Sequence, residues 1–271
     1  MTKFQPITRE RFASKRWKRY NNYSFAADTT VVPLAAGELS TAVLSLPLGF
    51  LTQGERKQLV AVLSLVPGRN VFVAPDGRWI GPYVPAAFRS YPFAMARTPD
   101  EKLVLCIAED SNLVTDGPDG EVFFGEEGKA TEAMTDILKF LHQVENSRMA
   151  AQRATDCLDQ HGLLQPWSIT LKTPEGERQV PGLYKVDEAA LNAVSAEILL
   201  ELRQAGGLYL AYCQMLSMQH LPLLGKLADA QAKALQQRAQ QKSKANVLHK
   251  GGELDLEFMN SETINFSGLS R

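Results

Sequence analysis

The hydrophobic period of this chain changes once, near Thr131, and that change restricts the fold more than any other feature. Downstream of it Met134, Ile137, Leu138, Leu141, Val144, Ala151, Ala154 and Leu158 recur at three- and four-residue steps, the spacing of one helix face. Upstream, from about 30 to 125, apolar residues come in short runs rich in valine, bounded by Pro67-Gly68 and Asp76-Gly77. Helices grouped after strands, without regular β-α-β alternation, predict an α+β fold. The expectation is a mainly antiparallel sheet from about 40–125 and 168–186, covered by helices over 131–160 and 187–221. One integrated domain is expected, because the helix face at 134–158 needs the earlier sheet to cover it.

Local signals refine this. A short helix and then a strand around Leu46–Leu51 are expected in VVPLAAGELSTAVLSLPLGFL. QLVAVLSLV, NVFVA and KLVLCIA read as buried strands. The stretch 110–128, rich in Asp, Gly and Glu, reads as loop with EVFF as a short strand. Thr131 fits an N-cap and Gly162 a stop for the first long helix. SITLKTPEGERQV reads as a hairpin turning at Pro174-Glu175-Gly176. Asp187 fits the cap of a second helix, with Val186 and Leu191 as its hydrophobic staple, and Gly206-Gly207 ends it. A third helix from Leu208 is expected to bend or break at Pro222.

The two ends differ from this middle. Residues 1–20 hold Lys3, Arg9, Arg11, Lys15, Arg16, Lys18 and Arg19 against the single acid Glu10. They read as a basic arm, which either docks on the acidic remainder or meets an anionic partner. Phe12, Trp17 and Tyr20 imply that part of it packs. Residues 226–271 read as a helix rich in Ala, Gln and Lys, then an acid-apolar strand at Glu253–Phe258 that needs a sheet edge or a partner. A homodimer formed through this extension is one solution. The domain limits expected are therefore an arm at 1–20, a body at 21–225 and an extension at 226–271, with both ends peripheral.

Composition excludes several classes of function. With 271 residues, 45% hydrophobic and 22% charged, the chain is neither disordered nor collagen-like. A formal net charge of −1 argues against wholesale nucleic-acid binding. No run of about 18 apolar residues offers a membrane span. The first residues lack the apolar core and cleavage site of a signal peptide, so a cytoplasmic protein is expected. Cys106, Cys157 and Cys213 lie far apart, without the close pairs of zinc sites or disulfide frameworks, and are expected to be reduced and buried. His142, His161, His220 and His249 are dispersed. No phosphate-binding loop, dinucleotide fingerprint or nucleophile elbow occurs. No metal, cofactor or catalytic residue is therefore assigned.

Residues 70–96 stand apart by density. Trp79, Tyr83, Phe88, Tyr91 and Phe93 alternate with Pro75, Pro82, Pro85 and Pro92, and Arg89 stands among the rings with Arg78 nearby. Read structurally, prolines fix irregular connections and aromatics fill the core beside them. Read functionally, the segment makes a concave aromatic site in which the planar fork of Arg89 binds an anion. The candidate ligand-binding residues are Arg89, Trp79, Tyr83, Tyr91 and Arg78.

The order of these segments resembles the SapC family of bacterial proteins. The residues that carry the resemblance are VPLAAGELSTAVLSLPLGF (32–50), NVFVAPDGRW (70–79), YVPAAFRSYPF (83–93), GLYKVDEAALNAV (182–194) and GGLYLAYCQMLSMQHL (206–221). It covers roughly residues 20–225. The family is named for an association with surface-layer protein transport, and similar proteins look to be encoded near halogenase-like and outer-membrane uptake genes. The resemblance supplies no catalytic residues. The absence of any catalytic signature, together with the two terminal extensions, favours a non-catalytic accessory protein that binds a polypeptide or a small ligand through the aromatic segment. The competing expectation is an enzyme, modifying a peptide or small molecule, whose site converges from distant residues.

Overall fold

Backbone pairing in the first half of the chain is antiparallel throughout. The computed structural model describes residues 3–98, 100, 102–173 and 176–250, with the side chains of 172–173 and 241–250 outside that description. The early strands are β1 (Phe4–Pro6), β2 (Arg16–Trp17), β3 (Val31–Pro33), β4 (Leu48–Gln53), β5 (Arg56–Val62), β6 (Phe93–Arg97), β7 (Leu103–Ala108), β8 (Val114–Thr115) and β9 (Glu121–Val122). After the long helix come β10 (Leu164–Pro166), β11 (Ile169–Thr173), β12 (Gly176–Val180) and β13 (Leu183–Val186). The helices are α1 (Arg9–Phe12), α2 (Leu39–Ala42), α3 (Ala86–Arg89), α4 (Glu132–Gln160), α5 (Glu188–Asn192), α6 (Ala196–Ala205), α7 (Gly207–Ser217) and α8 (Leu221–Lys250).

The fold is α+β, and its strands are divided among several sheets. The largest has the order β10-β13-β4-β5-β3, and smaller ones run β1-β7-β6 and β8-β2-β9, with β11-β12 a separate hairpin. β4 and β5 are joined through a two-residue turn in which Gly54 takes a left-handed φ of 63°. α4 starts as its sequence predicts, the Thr131 hydroxyl accepting from the Met134 N–H. It then serves two cores. Ala151, Ala154 and Leu158 pack with Leu48, Phe50 and Leu59 of the large sheet, whereas Met134 and Leu141 pack with Phe12, Trp17, Phe93, Ile107 and Phe123.

Buried polar side chains tie α7 to the large sheet. Gln214 donates to the Leu48 carbonyl at 3.1 Å and accepts from the Val186 N–H at 3.0 Å. Ser217 accepts from the Leu48 N–H at 2.9 Å. Each contact satisfies a strand-end group that would cost about 1–3 kcal/mol if left bare.

Several expectations are corrected. NVFVA is a buried turn and not a strand. The Asn70 side chain donates to the distant Ala26 carbonyl at 3.0 Å and accepts from the neighbouring Phe72 N–H at 3.0 Å, so side-chain bonding takes the place of a ladder. The second helix is two, α5 and α6, because Ser195 caps a new start by accepting from the Ile198 N–H. The third helix does break ahead of Pro222, as expected: α7 ends at Ser217, a 3-10 turn follows at Met218–His220, and Pro222 falls in the first turn of α8, where its missing N–H costs nothing.

The basic arm is part of the core and not peripheral. β1 pairs with β7, β2 pairs with both β8 and β9, and Phe12 and Trp17 are 0% and 3% exposed. Burying two such rings contributes about 2–3 kcal/mol each. The basic side chains meet the acidic loop: Lys15 lies 3.4 Å from Glu109, Lys18 3.8 Å from Asp119 and Arg19 2.8 Å from Glu121, and Arg11 also pairs with Glu109.

By its internal contacts the chain divides into residues 1–228 and 229–271. In the second unit residues 229–250 are helical, with Leu235 exposed. The acid-apolar strand expected at Glu253–Phe258 lies outside the described residues.

Candidate functional site

The short helix α3 places Arg89. Pro85 precedes it with φ −54°, and the Ala86 N–H that opens it donates to Oε1 of Glu38 at 2.7 Å. Glu38 is only 6% exposed, yet every approach to it is a donor. Its other oxygen accepts from the Ala35 N–H at 2.8 Å, capping the 3-10 turn Ala36–Glu38, and Oε1 also accepts from the Tyr83 hydroxyl at 2.7 Å. The phenol of Tyr83 is pushed above its ordinary pKa, first by burial and then by this bond to a carboxylate.

Arg89 stands over that phenol. Its guanidinium carbon is 5.8 Å from the Tyr83 ring centre and 5.3 Å from that of Phe140, both within cation–π range. One amino group makes a long 3.4 Å bond to the Tyr83 hydroxyl, which is free to accept because its proton is given to Glu38. Among the described residues no carboxylate lies within 4.0 Å of this guanidinium, so most of its donors remain available.

These donors reach an open cleft of about 520 Å³ between residues 17–20, residues 89–93 and the N-terminal turns of α4. Trp17, Tyr20, Tyr91 and Phe140 form much of its wall. Tyr91 stacks flat on Phe25, with centroids 3.8 Å apart and planes 5° apart, and Tyr20 meets Phe25 edge-on at 5.2 Å. The Tyr20 phenol is pushed up to about 12, chiefly by burial and next by the Tyr23 hydroxyl, so it is a neutral donor near pH 7. The indole N–H of Trp17 is buried and has no acceptor among the described residues.

The five residues singled out in the sequence therefore separate. Arg89 and Tyr91 line the cleft, and Tyr83 supports Arg89 from behind. Trp79 belongs to the core: its ring stacks on Phe72 at 5.5 Å and 17°, and its N–H donates to the Tyr83 carbonyl at 2.9 Å. Arg78 is 80% exposed on the turn after Asp76, to which it is bonded at 2.7 Å, and it does not line the cleft. That turn is held close by Gly77, at φ 85°, where a Cβ would come within 2.7 Å of Ser24 Oγ.

Sequence reading missed Glu38, Arg19 and Phe140. Only Glu38 left a signal: an acid three residues after a turn start, the reciprocal position of a capping box. The three cysteines are unbonded; Cys106 and Cys213 are buried as expected, whereas Cys157 is only half-buried, and burial raises each thiol pKa, helped at Cys157 by the charge of Glu201. Among the described residues no cluster of three or more His, Cys, Asp or Glu side chains is arranged to hold a metal ion. Among them, too, no helix is long and apolar enough to cross a membrane.

Comparison with curated proteins and with solved structures gave no match. A family model described as SapC matches residues 7–224, reaching well into the basic arm and ending where the body does. By that match, which spans most of its length, the chain belongs to the SapC family.

Proposed function

We propose that this chain is a cytoplasmic, non-catalytic accessory protein whose cleft binds an anionic ligand with an apolar body, either a small molecule or one residue of a polypeptide. The observation that carries the reading is Arg89, an exposed guanidinium fixed over two rings and left without a carboxylate partner among the described residues. A structural arginine is normally consumed by carboxylates or backbone carbonyls, whereas this one keeps its fork free at the wall of an aromatic cleft. The cleft volume lies within the range of small-molecule sites, about 300–1,000 Å³. An enzymatic reading finds less support, since the tyrosines and thiols with resolved shifts are held in their protonated forms and none is activated as a nucleophile.

The test is mass spectrometry of small molecules and peptides that co-purify with the native full chain, run beside Arg89→Ala. A species retained by the parent and lost from a folded variant supports the reading. Identical species on both proteins would show that Arg89 anchors nothing.

A further inference from the structure

The charges around the cleft select a ligand class. Three charged side chains line it: Arg19, Arg89 and Asp136. Arg19 stands over the Trp17 ring at 5.7 Å, and its charge is paired through its Nε with Glu121 at 2.8 Å. Asp136 is paired with Lys139, one turn along α4, at 3.3 Å. With those two charges in ion pairs, Arg89 is the cleft charge left without an ion-pair partner among the described residues. One free guanidinium offers a fork of two parallel N–H donors, which matches a planar carboxylate in charge and in shape. A phosphate monoester carries closer to two charges and three acceptor oxygens, and a single cation leaves part of that charge unanswered.

The surroundings fit the same choice. The Tyr83 hydroxyl gives its proton to Glu38, so it faces Arg89 as an acceptor and turns the guanidinium without adding a second cation. Tyr20, Tyr91 and Phe140 supply ring faces and edges beside the guanidinium, suited to an apolar body attached to the anion. We infer that the cleft recognises a monocarboxylate borne on an aromatic or aliphatic body, an inference that rests on the reading of the cleft as a ligand site.

The experiment titrates the full chain with 2-naphthylacetate, its neutral amide and 2-naphthyl phosphate, by calorimetry and by NMR shifts of the tyrosine and tryptophan rings. The expected result is saturable carboxylate binding that shifts Tyr20, Tyr91 and Trp17. The amide should bind about tenfold more weakly, the scale of losing a charge-assisted bond, and the phosphate no more tightly than the carboxylate. Arg89→Ala should abolish the preference of carboxylate over amide, and Arg89→Lys should retain only part of it. Tighter binding of the phosphate at the same rings would overturn the monocarboxylate class while leaving the ligand site standing. Equal binding of all three, unchanged in Arg89→Ala, would remove Arg89 as the anchor and the inference with it. No shift of the cleft rings by any probe would overturn the site itself.

Discussion

The Tyr83 hydroxyl donates to Glu38 at 2.7 Å, and that bond joins a buried carboxylate to the phenol that supports Arg89. Glu38 accepts three hydrogen bonds with two oxygens, two of them from backbone N–H groups that open short helical turns. Replacing it with Gln puts a donor against donors. Glu38→Gln should destabilise the protein by about 2–4 kcal/mol, from lost charge-assisted bonds and bared amides. Tyr83→Phe should cost about 1 kcal/mol, since Ala86 still occupies Oε1. Urea unfolding of both variants measures this, and equal costs would show that the carboxylate is not the centre of the network.

Alkaline pH should reveal the phenols. Tyr20 and Tyr83 hold their protons more tightly in the folded state than in the unfolded one, Tyr20 up to about 12. A raised folded-state pKa gives stability that is complete below the unfolded value, about 10, and lost as pH rises through the folded value. The urea midpoint should therefore fall between about pH 10 and pH 12, and Tyr20→Phe should flatten part of that fall. A slope identical to the parent's would mean that Tyr20 titrates as in the unfolded chain.

The thiols should be slow to react. Burial raises the pKa of Cys106, Cys157 and Cys213, and a thiol modifies through its thiolate. A native labelling time course at neutral pH should show delayed modification that becomes rapid only on unfolding. Fast labelling of Cys106 or Cys213 would contradict their burial, and Cys157, half-buried, should be the first of the three to react.

The N-terminal residues should behave as core. Phe12→Ala should cost about 3–5 kcal/mol, the range for an emptied aromatic site, because Phe123 packs on it at 5.1 Å. Deleting residues 1–20 should unfold the second core rather than leave a trimmed, folded body. Thermal melting and near-ultraviolet circular dichroism distinguish the two results.

Much of the architecture was legible wherever the physics is local. α4 is visible because its apolar period and Thr131 cap act within a few residues of each other. The hairpin of β11 and β12 and the Asp187 cap of α5 are visible for the same reason. NVFVA misled because a valine-rich run looks alike whether it is a strand or a buried turn, and Asn70 decided the matter through bonds to Ala26, forty-four residues away. The arm was misplaced because its charge density suggests solvent, while its partners Glu109, Asp119 and Glu121 lie about a hundred residues downstream. In the site, Arg89 and Tyr91 could be picked from their crowded segment. Phe140 and Arg19 could not, since nothing near them in sequence shows that α4 and β2 converge on the same cleft.

The pairing of β1 with β7 has a consequence for how the chain is made. Phe4 meets Ala108, and Trp17 meets Val114 and Glu121, so the arm has nothing to pair with until those residues leave the ribosome. At about 5–20 residues per second that delay lasts roughly 5–20 s. Throughout it, a segment carrying Phe12 and Trp17 is exposed to every other apolar surface in the cell. Its seven basic side chains keep it hydrated and mutually repelled during the wait, and the same charges then find Glu109, Asp119 and Glu121 when the acidic loop emerges. The density of lysine and arginine at this end thus belongs to a seam whose two sides lie about a hundred residues apart in the chain.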